Sequence, residues 1–233
     1  MTFGEIVKGT GGIEVFDKNE KYIEKNGFVY LFDFYHGNGG PGKRFSVLAT
    51  TDFSYQAWTK PPDSVHFDGD RNFVLSDDNF DLATLGFFIR KNEAAAEMSQ
   101  LQRVTAKCVP DVKERLAEMD YRQFLTELWI ECCSKSGVKE LRILPAQRFV
   151  NFPPLKPRHE TYRSLYDEEL PGYYAAWRKS QEPGVSDEQI GKELRRIFSQ
   201  RKGWRKNYDE NAARFGFQLK EGKCGVEYFC LKI

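Results

Sequence analysis

The residues that could do chemistry fall into three groups. Gly37-Asn-Gly-Gly-Pro-Gly-Lys43 follows an aromatic run and satisfies the G-x-x-x-x-G-K spacing of a phosphate-binding loop. Such a loop needs glycines so that main-chain N–H groups converge on phosphate. It also needs a lysine for the outer phosphates and a serine or threonine hydroxyl for Mg²⁺. Here Arg44 follows the lysine, and Phe-Ser-Val-Leu-Ala-Thr-Thr favours a strand where the motif must open a helix. The stretch is therefore expected to be a hairpin tip. His66, Asp68 and Asp70 alternate, with Asp77, Asp78 and Asp81 nearby, an arrangement that could gather a divalent cation. Asp, Asn and Gly also build turns unaided, and turns are the expected role. The third group is basic: Lys192, Arg195, Arg196, Arg201, Lys202, Arg205 and Lys206 lie within fifteen residues against one acid, Glu193. Trp204 and Tyr208 are interleaved with them. Guanidinium and ammonium groups beside aromatics suit phosphate contact and base stacking, although a solvated helix face has the same composition.

The elements that must position these groups follow from pattern. The chain has 233 residues, a formal net charge of +1 and 15% aromatic residues, so a basic surface must come from segregation of charge rather than excess. Residues 155–233 hold sixteen basic and twelve acidic side chains. With no signal-peptide pattern and no apolar run near 18 residues, a cytoplasmic protein without membrane association is expected. The five cysteines form no C-x-x-C pair and read as reduced structural thiols, without a metal or other cofactor.

The pattern predicts strands at 12–17, 28–35, 45–50, 72–75 and 84–90. Apolar side chains on both faces of 28–35 mark it as a central strand. Asn92 can cap a helix through 93–107, where Ala94-Ala95-Ala96 has high helical propensity. Pro110 starts a second helix near 110–119, Tyr121–Cys133 makes a third, and Lys139–Leu144 returns to strand. Three prolines in 151–158 suggest a linker. Helices are expected near 161–180, 186–199 and 207–214, with a capping box at Ser186, and then a hairpin of 217–220 and 226–233. The fold expected is α+β: an N-terminal mixed or antiparallel sheet and helical middle in 1–150, then a C-terminal helix–helix–hairpin unit in 159–233.

The run Tyr173–Phe198, with its aromatic-x-x-Trp helix, its Gly-x-x-Leu helix, a basic turn and a closing hairpin, resembles the winged-helix tail of phage and plasmid primase-helicases. That resemblance covers roughly 165–233. It implies a DNA- or protein-binding module of a mobile genetic element, with Arg195, Arg196 and Lys223 on the wing as contacts. Asn207–Phe217 followed by a terminal strand is instead similar to the last helix and strands of GNAT acyltransferases. That family also needs a glycine-bearing pyrophosphate loop after its central strand, and Lys-Asn-Glu-Ala-Ala-Ala after 84–90 does not supply one. His36, Tyr55 and Glu227 resemble, in order, the His–Tyr–Glu set of ADP-ribosyltransferases. The expectation is a non-enzymatic protein that binds nucleic acid, or another protein, through Lys192, Arg195, Arg196, Arg201, Lys202, Trp204, Arg205, Lys206 and Lys223. A group transferase is the alternative. A sheet running unbroken through both halves would favour the transferase, and a separately packed tail the binding module.

Overall fold

The computed structural model describes residues 28–36, 42–51, 59–62, 64–65, 67–105, 107–117, 119–148, 167–222 and 225–233. The expected strand at 12–17, the glycines of the 37–41 loop, the 151–158 linker, Tyr55, His66 and Lys223 lie outside them.

The fold is α+β, built among the described residues on an eight-stranded, mostly antiparallel sheet. Strands β1 (Phe28–His36), β2 (Lys43–Thr50), β3 (Arg71–Asp77), β4 (Asp81–Arg90) and β5 (Ala95–Arg103) form an antiparallel meander. Short connections make this the natural pairing, because consecutive strands can then join by hairpins. Strand β6 (Glu140–Ile143) joins β5 in parallel, which requires a crossover, and helices α1 (Val112–Arg115) and α2 (Tyr121–Lys135) lie in that crossover. Helices α3 (Leu170–Gln181), α4 (Asp187–Asn207) and α5 (Asp209–Arg214) follow, then β7 (Gln218–Glu221) and β8 (Glu227–Lys232). The closing strand β8 pairs antiparallel with both β6 and β7, so the order is β1-β2-β3-β4-β5-β6-β8-β7.

Three expectations are corrected. Residues 95–103 are a strand, not part of a helix spanning 93–107. Their alanines are good helix formers, but Ala95, Ala96 and Met98 are fully buried on a strand flanked by β4 and β6. Neighbours on both edges outweigh a propensity worth a few tenths of a kcal/mol per residue. Among the described residues the 28–35 run stands at the end of the sheet, as β1, and not at its centre. Its second apolar face is only partly covered, with Tyr30 and Tyr35 exposed. The helix expected at 110–119 shrinks to α1, whose first cap, Asp111, stands in the left-handed region at φ 54°.

Helix α2 is the organising layer. Asp120 caps it, accepting from the N–H groups of Arg122 and Gln123, and its apolar face lies on the sheet. Phe124 stacks on Phe34, whose ring also stacks on Phe45. The indole of Trp129, fully buried, lies between Phe87 and Phe217. Phe217, Tyr208 and Ala212 thus belong to the same core as the N-terminal strands. Leu170, Tyr174, Val185, Ile190 and Ile197 form a second, smaller cluster between α3 and α4. No helix of the described residues is long and apolar enough to cross a membrane.

Candidate nucleic-acid interface

Helix α4 carries the basic run, and its start is fixed locally. Ser186 accepts the N–H of Gln189 at 3.2 Å while the Gln189 side chain accepts the N–H of Ser186 at 3.0 Å, closing the capping box. Ile190 and Ile197 anchor the buried side. At about 100° per residue, Lys192, Arg195, Arg196, Lys202 and Lys206 all project within an arc of about 120°. They span a rise of about 21 Å along the helix. All five are exposed, and none takes part in an ion pair among the described residues. Glu193, the acid within the run, lies off this stripe. It accepts from the Arg178 guanidinium at 3.0 Å and the Tyr174 hydroxyl at 2.9 Å, which holds its carboxyl below the usual range.

Arg201, Arg205 and Trp204 turn instead toward Asp167 or the core, Arg201 buried and Arg205 and Trp204 partly so, and they interrupt the continuous basic and aromatic face that was expected. Arg201 is fully buried, with its guanidinium 2.9 Å from Asp167. Arg205 meets the other oxygen of the same carboxylate at 2.5 Å. Burial alone would raise the Asp167 pKa, but hydrogen bonds from Arg205 and Arg201 outweigh it and hold the carboxyl below its ordinary value. Trp204 packs against the main core and stacks on Tyr208 with ring centres 5.4 Å apart. Tyr208 is buried, and its hydroxyl accepts the N–H of Leu101 at 3.1 Å. Neither ring is placed to stack on a base. The helical period shows which positions share a side, but it could not show that Asp167 and β5 would claim the opposite side of α4.

The remaining candidates resolve as follows. Lys43 opens β2 and pairs with His36, so the loop lysine leads a strand and not a helix. His36 and Glu227 sit on β1 and β8, six strand positions apart, or roughly 29 Å at ~4.8 Å per strand. They do not converge on one sugar. Asp77 caps the β3–β4 turn and pairs with Arg115, and Asp78 pairs with Arg44. Asp81 is buried, accepting from the Lys60 N–H and the Ser76 hydroxyl. These carboxylates do structural work as turn and strand fasteners.

The strand that precedes the parallel step is β5 and not the 84–90 strand. Residues 104–120 there contain no glycine. The start of α2 is occupied by Asp120, whose carboxylate also meets Arg214 at 2.6 Å. Strands β5 and β6 pair only from Ala95–Glu140 to Met98–Ile143. Beyond that, the main chain of Leu101 is taken by Tyr208 and by Asn207, whose Nδ2 donates to the Leu101 carbonyl at 2.8 Å. No family model, curated protein or solved structure matches this chain.

Proposed function

We propose that this chain is a nucleic-acid-binding protein that contacts phosphate through the exposed stripe of α4. The observation that carries the reading is the segregation on that helix. Lys192, Arg195, Arg196, Lys202 and Lys206 share one side, outside any ion pair of the described residues, while Arg201 and Arg205 turn inward to Asp167. Five cations along about 21 Å follow a phosphate backbone without reading bases, so the binding is expected to be largely independent of sequence. The resemblance of this region to winged-helix tails points the same way. The hairpin enters the reading only as sheet strands, since β8 pairs with β6.

Fluorescence anisotropy with labelled duplex and single-stranded oligonucleotides across a salt series tests it. If all five cations engage phosphates, log affinity falls with log salt at a slope of about −4.5, or about 500-fold between 50 and 200 mM. The variant Lys192→Ala/Arg195→Ala/Arg196→Ala/Lys202→Ala/Lys206→Ala spares the two arginines paired with Asp167 and should fold while losing that slope. Unchanged binding by the variant, or none by the intact protein at low salt, refutes the reading.

A specific observation favours acyl transfer as a second reading. The sheet continues unbroken from β1 to β7, and its parallel β5–β6 step is followed by a terminal helix and hairpin similar to those of GNAT enzymes. The Asp120 cap and the Asn207–Tyr208 closure of Leu101 weigh against a coenzyme A site there. Thermal denaturation with acetyl-coenzyme A separates the two. Saturation at 100 times Kd stabilises by about 2.7 kcal/mol, a rise of about 5–10 °C for a chain of this size.

A further inference from the structure

The cations of α4 do not form a solid ridge. Measured around the helix from Ser199, Lys192 and Arg196 stand about 20° and 60° to one flank. Arg195, Lys202 and Lys206 stand about 40°, 60° and 20° to the other. Arg196 and Lys202 are therefore symmetric about Ser199, three residues before it and three after. Gly203, one turn beyond Ser199, leaves the middle of the stripe without bulk. Glu188, also exposed, lies one turn before Lys192 on the same side and closes the stripe at its N-terminal end.

The fold does not demand this bare middle. A glycine inside a helix weakens it relative to alanine, yet a Cβ at Gly203 would meet nothing within 4 Å. At Gly69, by contrast, it would run into the main chain of Phe87. Ser199 is exposed, and among the described residues its hydroxyl makes no hydrogen bond. The hydroxyls of Ser134 and Ser180, on other helices, turn back to the carbonyls of Ile130 and Trp177 at 2.7 and 2.6 Å. The aromatic rings of α4 face away from the stripe: Phe198 packs into the cluster between α3 and α4, and Trp204 against the main core. Proteins that hold single strands rely on stacking bases against aromatic side chains, whereas phosphate contacts need none. A duplex keeps its bases stacked and its phosphates in a stiff line, so it meets a rigid row of cations without the ordering that a flexible strand must undergo.

Resting on the reading of α4 as a phosphate-contacting surface, we infer that its ligand is a duplex, one strand of whose backbone crosses the helix at Ser199 and Gly203. The Ser199 hydroxyl donates to a phosphate oxygen between Arg196 and Lys202. The absent side chain of Gly203 lets the sugar–phosphate chain approach the helix main chain.

The test is fluorescence anisotropy with a labelled duplex and one of its single strands across a salt series, with thermal denaturation of each variant. The duplex should bind at least about tenfold tighter than the strand. Ser199→Ala should weaken the duplex several-fold at an unchanged salt slope, because a neutral hydroxyl displaces no counterion. Lys202→Ala should instead lower the slope by about 0.9. Gly203→Ala should raise Tm by about 1–4 °C, which shows that the fold accepts a side chain there, and Gly203→Leu should weaken the duplex about tenfold by obstructing it. Equal or tighter binding of the single strand overturns the inference, as does wild-type affinity in Ser199→Ala or in Gly203→Leu. In those cases the broader reading stands as long as the variant lacking all five cations loses binding. No binding by the intact protein at low salt, or unchanged binding by that variant, removes both.

Discussion

Asp167 is the residue whose removal most directly tests how α4 divides its charge. Its two oxygens face Arg201, whose side chain is 1% exposed, and Arg205, which is 40% exposed. Asp167→Ala deletes the carboxylate between two guanidinium groups and leaves their mutual repulsion. Removing one member of a buried pair costs about 3–5 kcal/mol, and exposed pairs are worth at most about 1. Asp167 is itself 37% exposed, so a cost of about 2–4 kcal/mol follows between those limits. For a chain of this length that lowers Tm by about 4–16 °C. Urea denaturation read by tryptophan fluorescence gives the free energy directly. The double variant Asp167→Ala/Arg201→Met then removes the buried charge and should recover part of the loss. The sign with pH is fixed: a carboxyl held below its unfolded value stabilises above that value and loses its effect as pH falls through the folded one. The gap between wild type and Asp167→Ala should therefore be flat from neutral pH to about pH 5 and narrow below about pH 4. A double variant no more stable than Asp167→Ala, or a gap that widens in acid, would refute the reasoning.

Two other substitutions probe the frame around the interface. Tyr208→Phe removes the acceptor of the buried Leu101 N–H and should cost about 1–3 kcal/mol in urea denaturation while leaving the α4 stripe intact. Gly69→Ala should be destabilising by about 1–3 kcal/mol or more, read as a lowered Tm. A Cβ there would stand 2.4 Å from the main-chain nitrogen of Phe87, and a strand cannot yield as a side chain can.

The sequence alone determined the elements whose information is local. The β1–β2 hairpin, the apolar face of α2, the Ser186 capping box and the terminal hairpin all follow from period, turn residues and caps within a few positions. The failure of the glycine motif was legible too, because the residues after Lys43 spell a strand. Tertiary structure alone decided the rest. Residues 95–103 are helical by propensity and a strand by position, since β4 and β6 lie on either side and bury the alanines completely. The terminal hairpin reads as a separable wing, yet β8 finds its partner in β6, more than eighty residues earlier. Arg201 reads like its exposed neighbours and becomes one of the largest fully buried side chains because Asp167, thirty-four residues away, meets it. A short-range pattern records which residues share a side. Which side meets another strand or a carboxylate is settled only when distant segments close on one another, and that pairing leaves no local period in the chain.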